Sequence, residues 1–548
     1  MRIRPFHCAV LLLSLLATAQ TKPTIPGIGE TIDVSIVNVD VVVTDRAGNR
    51  VRGLTKDDFE IYENGVKQPV SNFAEYALDN VPLPLAGEGA RRAGEGSAPS
   101  QKRTVIVFIE RFFLPGFRND PLFASIKGLL HQTIRPGDRA TIVTWNRGVL
   151  LTHQAFTDSL PALDRSLDRI AKLSATKFID PTAETRWSIE DIRAFDAQAG
   201  ANAGGAPAQG DTLADLELQF AAEKEVVDIQ RKVRAINALM RAIAGVEGKK
   251  IMLLATHRLS LEAGAEHYYA TGSTMIPGEK RQRLDMRELL KTMAATANAN
   301  NVTIYPVFPE GLGSAQSEGF GSSTADYLIL NNETPALKLI ADATGGVTAW
   351  GSDDVVKLMP RVQEDLDSYY SLAYRVPGTG TDKARRIEVR MKDRKRGLRV
   401  RTRQDFVEKS DVTKMEDRVI AALFRNPPSP GFPLRVEIGK RRQRGSGFVI
   451  PVAVHIPIAV LTALPSGDVY NGAFSVYLAW GGKLGGISET THSTKTFRIP
   501  AAEIEKARQS HLTYEFELAS DPRTESVALG VLDEVSKEYA LRLIQLKR

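Results

Sequence analysis

The residue types that ordinarily do chemistry are present, but at spacings that assemble no known reaction. The eight histidines fall at no metal-ligand spacing. His131, His153, His257 and His267 stand singly, where a histidine is more often a hydrogen-bonded or surface residue than a ligand. H-E-x-x-H, G-x-S-x-G, G-x-x-x-x-G-K-[ST] and G-x-G-x-x-G are all missing. Gly311-Leu312-Gly313 and Gly319-Phe320-Gly321 begin like the last, yet lack its third glycine and its strand-to-helix setting. Asp57-Asp58 and Asp353-Asp354 sit at a turn and at a helix start, where carboxylates cap backbone N–H groups and favour the helix dipole. These patterns nominate no catalytic residue, no cofactor and no metal.

The elements that would position a site divide the 548 residues into several regions. Arg2 and Arg4, the apolar run Cys8–Leu16 and Ala17-Thr18-Ala19 read as a secretory signal peptide over residues 1–19. Its removal would take away the single cysteine and leave a net charge of +4, so the exported chain would have no disulfide and no thiolate. No later stretch approaches the ~20 apolar residues of a membrane span. Residues 31–76 alternate as a small β module, with a phase slip near Ile36-Val37 that predicts a β-bulge. Asn64-Gly65 marks a hairpin there. Residues 77–103 read as a linker.

From residue 104 to 368 the period switches to strands alternating with helices, which predicts a doubly wound, mostly parallel α/β sheet. Thr104–Ile109, Ala140–Trp145, Ile251–Ala255, Val302–Val307 and Val347–Trp350 are its strands; residues 174–210 read as a long excursion. Residues 369–408 form a β-hairpin extension. Residues 411–548, with short strands between turns, predict a C-terminal β-sandwich.

The densest charge cluster lies in that extension. Lys383 to Arg403 holds eleven Lys or Arg against Glu388 and Asp393. One reading is a solvated strand face; the sharper one is contact with an anionic glycan or membrane surface through Lys383, Arg385, Arg386, Arg390, Arg394, Lys395 and Arg396. Aromatic residues do not interleave with these charges, which argues against nucleic acid.

Gly53–Gly65 after the Val-rich strands, Ala343-Thr344-Gly345-Gly346-Val347, Ser368–Tyr374 and the pair Ile387–Arg390 with Leu398–Arg401 resemble the acidobacterial VWFA-related family. That resemblance spans about residues 31–406. It implies a secreted protein with a von Willebrand factor A-like domain devoted to protein binding. The wider fold commonly holds Mg²⁺ or Mn²⁺ at its strand tips through D-x-S-x-S, a threonine and a later aspartate. Here the corresponding segment is Glu110-Arg111-Phe112-Phe113-Leu114, and Thr256-His257-Arg258 stands where the aspartate is expected. An aromatic and an aliphatic side chain supply no oxygen ligand, which predicts a metal-free tip. Arg258 or Arg111 could pair with Glu110 instead. Glu110, Arg111, Phe112, Phe113, Leu114, His257 and Arg258 are then the candidate binding rim, with Phe117 beside them. Two functions follow: a non-catalytic adhesion or scaffold protein with a protein partner, or an exported hydrolase with a site in the long loops.

Overall fold

A computed structural model describes residues 34–76, 102–110, 120–146, 149–174, 213–246, 248–270, 276, 278–308, 324–378, 380–393, 397–424, 431–444, 447–482, 488, 490–520 and 524–546. The proposed signal peptide, the 174–210 excursion beyond Ser174 and most of the 77–103 linker lie outside them.

The fold is mixed α/β with several sheets. A six-stranded sheet has the spatial order Ala349–Trp350, Val302–Phe308, Lys249–Ala255, Arg103–Glu110, Arg139–Asn146 and Val149–Thr157. The first five strands pair in parallel, and Val149–Thr157 runs antiparallel at the edge. The central strands are largely apolar because both of their faces are covered. Val105, Val107 and Ile109 pack into one helical layer, while Ile106 and Phe108 pack into the other. The first layer holds the helices Asp120–Thr133, Leu160–Ser174 and Gly351–Asp367. The second holds Leu213–Ala242, Arg287–Ala299 and Thr324–Thr344.

The β segments on either side of this unit build one object together. One sheet orders Arg399–Arg401, Val34–Thr44, Tyr369–Pro377 and Asn72–Tyr76; the other orders Asp405–Val407, Ala384–Met391, Phe59–Glu63 and Val66–Gln68. Val37, Val39, Val41, Phe59 and Ile61 share a core with Tyr370, Leu372, Tyr374, Ile387 and Val389. Residues 31–76 and 369–408, expected as separate modules from their place in the chain, are joined, since neither segment alone can cover its apolar face. Nor is 384–401 a hairpin. Ala384–Met391 pairs with Phe59–Glu63, and Arg399–Arg401 pairs with Val42–Thr44 in the opposite sheet. The bulge near Ile36-Val37 is also corrected, because Val34–Val41 pairs with Tyr370–Pro377 in one unbroken register. Ile36 simply points outward and is 53% exposed. The Asn64-Gly65 turn is present, with both residues in the left-handed region between Glu63 and Val66.

Residues 435–545 form two antiparallel sheets around a common core that includes Val452, Val454, Phe474, Val476, Leu529 and Val531. The helix Asp411–Phe424 covers an outer face, with Met415, Val419 and Ala422 against Tyr477, Ala479 and Ala528. Among the described residues no helix is long and apolar enough to cross a membrane.

Candidate functional site

In an open α/β sheet, ligands bind beyond the carboxyl ends of the strands, where the winding changes direction. That point falls between Arg103–Glu110 and Lys249–Ala255, which are neighbours although Arg139–Asn146 intervenes in the chain. Glu110 closes the first strand, and Thr256-His257 follows the second.

Glu110 is only 6% exposed there. Its Oε2 lies 2.7 Å from Lys232 Nζ. The same oxygen accepts hydrogen bonds from Thr256 Oγ1 at 2.8 Å and from the His257 backbone N–H at 3.1 Å. Lys232 also donates to the His257 carbonyl. One carboxylate oxygen thus receives an ammonium, a hydroxyl and an amide, and the charge is neutralised inside the protein. A divalent cation does not fit this donor set. It would have to share Glu110 with a buried ammonium, and Phe112 and Leu114 offer no oxygen.

The cation against Glu110 is therefore Lys232, which the sequence analysis did not name. Arg111, Phe112, Phe113, Leu114 and Phe117 lie outside the described residues. Arg258 turns the chain after the strand with φ 49°, and its positive charge reaches His267. His257 is corrected from rim to core at 1% exposure. Its ring packs on Phe308 at 5.1 Å, and Nδ1 lies 3.1 Å from Glu333 Oε1. Lys232 did leave a trace in the sequence. It sits among Ile229, Val233 and Ile236 on the buried stripe of its helix, where a charge must find a partner.

A second polar group is buried behind this tip. Glu225 precedes Lys232 by about 10 Å along the same helix. Glu225, Glu266 and His267 each offer a ligand atom within 4.8 Å of the others, and all three residues are buried. Glu266 adjoins His267 in the chain, but Glu225 comes from a distant helix, so sequence spacing does not reveal the group.

In the basic cluster of residues 383–403, Arg385 and Arg401 are turned into largely buried ion pairs, whereas Arg390 is paired at the surface. Arg385 meets Glu63 at 3.1 Å and Glu408 at 2.8 Å. Arg390 forks onto Glu388 at 2.6 and 2.7 Å while lying over the Tyr62 ring. Arg401 binds Asp365. Arg394, Lys395 and Arg396 lie outside the described residues.

No protein-family model matches the chain, and no curated protein matches it. Solved structures similar to parts of it include the conserved hypothetical protein BatB from Bacteroides thetaiotaomicron, at 8% identity and TM-score 0.22, over 48% of this chain and 97% of that one. The SpRpn10 VWA domain has 8% identity and TM-score 0.21, over 48% and 95%. The manganese-loaded TRAP protein of Plasmodium vivax has 7% identity and TM-score 0.23, over 73% and 94%. Superpositions this partial leave the fold to be read from this chain's own strand order.

Proposed function

We propose that the chain is an exported, non-catalytic binding or scaffold protein whose α/β unit is von Willebrand factor A-like and acts without a metal at its strand tips. The observation that carries this reading is the Glu110–Lys232 pair. It fills, with a fixed ammonium, the place where a cation would recruit a partner's carboxylate or polarise a substrate. A protein partner would then be held by the surface around the tips, with the β modules spacing that surface from the cell. The pairing of Arg385, Arg390 and Arg401 with carboxylates leaves fewer uncompensated charges for a glycan or membrane, which favours the protein partner.

The test is crosslinking of the full chain in the cell that makes it, with wild type beside a Glu110→Gln, Lys232→Met double variant. The neutral pair cannot hold a tip cation, so the same partner should be captured by both. Loss of capture by a folded double variant, or turnover of ester, peptide or glycoside substrates by the wild type, would overturn the reading.

A further inference from the structure

Glu225, Glu266 and Glu333 are 4%, 4% and 3% exposed; among the described residues His257 Nδ1 lies 3.1 Å from Glu333 Oε1, and the charges of Arg258 and Lys224 reach His267. Lys232 is engaged by Glu110, and Arg281 and Arg287 are engaged by Glu262. A buried carboxylate is disfavoured unless it is protonated, paired or bound to a metal. The hydrogen bonds on offer are sparse. Glu225 Oε1 receives Ser260 Oγ at a long 3.4 Å, and Glu266 Oε2 receives Asn332 Nδ2 at 3.1 Å. That Asn332 amide also bonds the Glu262 carbonyl.

Two further observations point to a ligand. His267 Nδ1 faces the Gly264 carbonyl at 3.3 Å. A ring that donates there carries its proton on Nδ1 and presents Nε2 as a lone pair, the arrangement that orients metal-binding histidines. Glu333 is 3% exposed; its Oε1 lies 3.1 Å from His257 Nδ1, while its Oε2 has no hydrogen-bond partner among the described residues.

We propose that Glu225, Glu266 and His267 form a binding site for one divalent first-row transition ion, such as Zn²⁺, with Glu333 beside it to complete or orient the set. Two carboxylates and an imidazole suit such an ion better than Mg²⁺ or Ca²⁺, which prefer oxygen throughout. Three protein ligands also leave a coordination position open. The helix Leu213–Ala242 supplies Glu225, Ala265–Ala270 supplies Glu266 and His267, and Thr324–Thr344 supplies Glu333. The ion would staple these helices behind the strand tips. This site is separate from the Glu110 tip and does not depend on the binding reading above.

The test uses the full chain, stripped with chelator and titrated with Zn²⁺ by calorimetry. One ion per chain is expected, and Co²⁺ in its place should give the visible absorption of a low-coordinate site. Glu266→Gln and His267→Ala should each weaken Zn²⁺ binding by at least about tenfold. His131→Ala and His455→Ala, surface changes far from the cluster, should not. Should the ligand variants fail to fold, zinc-edge anomalous diffraction from wild-type crystals locates the ion directly. Absence of stoichiometric binding, unchanged affinity in both ligand variants, or an anomalous peak elsewhere would each overturn the proposal.

Discussion

A carboxylate buried at a strand tip is tolerated only when a positive charge goes in with it. Glu110 and Lys232 meet that condition, and each loses its partner if the other is removed. Lys232→Met alone should therefore cost about 3–5 kcal/mol, while adding Glu110→Gln should recover most of the loss. Urea unfolding of the four proteins in the cycle measures this. Equal stability of the single and double variants would show that the pair is not coupled. Asp365 is a second such point. It accepts Arg401 Nη1 at 3.0 Å, Arg401 Nη2 at 2.8 Å and the Tyr305 hydroxyl at 2.8 Å, and it also pairs with Arg50. Burial pushes its carboxyl up, but the guanidinium groups of Arg401 and Arg50 outweigh that and hold it below its ordinary value. A depressed folded value means the stabilisation is full above the unfolded value of about 3.9 and is lost as pH falls through the folded one. The urea midpoint should thus drop steeply below about pH 4. Asp365→Asn should lower stability at neutral pH and flatten that acid limb. An acid limb of the same slope in the variant would remove Asp365 as its source.

At the scale of elements, close backbone approach explains a motif that otherwise reads only as punctuation. Gly346 follows the helix Thr324–Thr344, and a Cβ there would stand 2.0 Å from the Ile304 carbonyl oxygen. Backbone cannot rotate aside as a side chain can, so Gly346→Ala should cost about 1–3 kcal/mol or more. Calorimetry should show it as a lower Tm, and an unchanged Tm would mean that the helix and strand are not held this tightly. Buried strands were legible through their apolar runs, Val105–Ile109 within Arg103–Glu110 and Ile251–Ala255 within Lys249–Ala255. Edge strands were not. Val149–Thr157 and Thr491–Pro500 carry His153, Gln154, Lys495 and Arg498, and an edge needs such residues to resist pairing with other chains.

For the whole molecule, the arrangement of the β segments is the decisive feature. The α/β unit is inserted between two halves of a single sandwich, and Arg50, Asp365, Tyr305 and Arg401 tie that sandwich to it. A chain beginning at residue 102 would leave Tyr370, Leu372, Tyr374, Ile387 and Val389 without the strands that cover them. It should aggregate or unfold at a markedly lower temperature than the full chain. Preserved cooperative unfolding at the same Tm would show that the first strands only decorate the fold.

The sequence by itself determined which segments are strands of a buried sheet and which helices cover them. Such elements announce themselves locally, through an unbroken apolar run or a stripe at helical spacing. It also placed Glu110 at the end of a strand, with Phe112 and Leu114 where the resemblance expects two hydroxyls. Only the tertiary structure decided that Lys232 meets Glu110, that Glu225, Glu266 and His267 converge, and that residues 34–76 and 369–407 share one core. Each of these joins residues far apart in the chain. Their pairing depends on which faces the sheet and helices turn toward one another, and no local spacing records that choice.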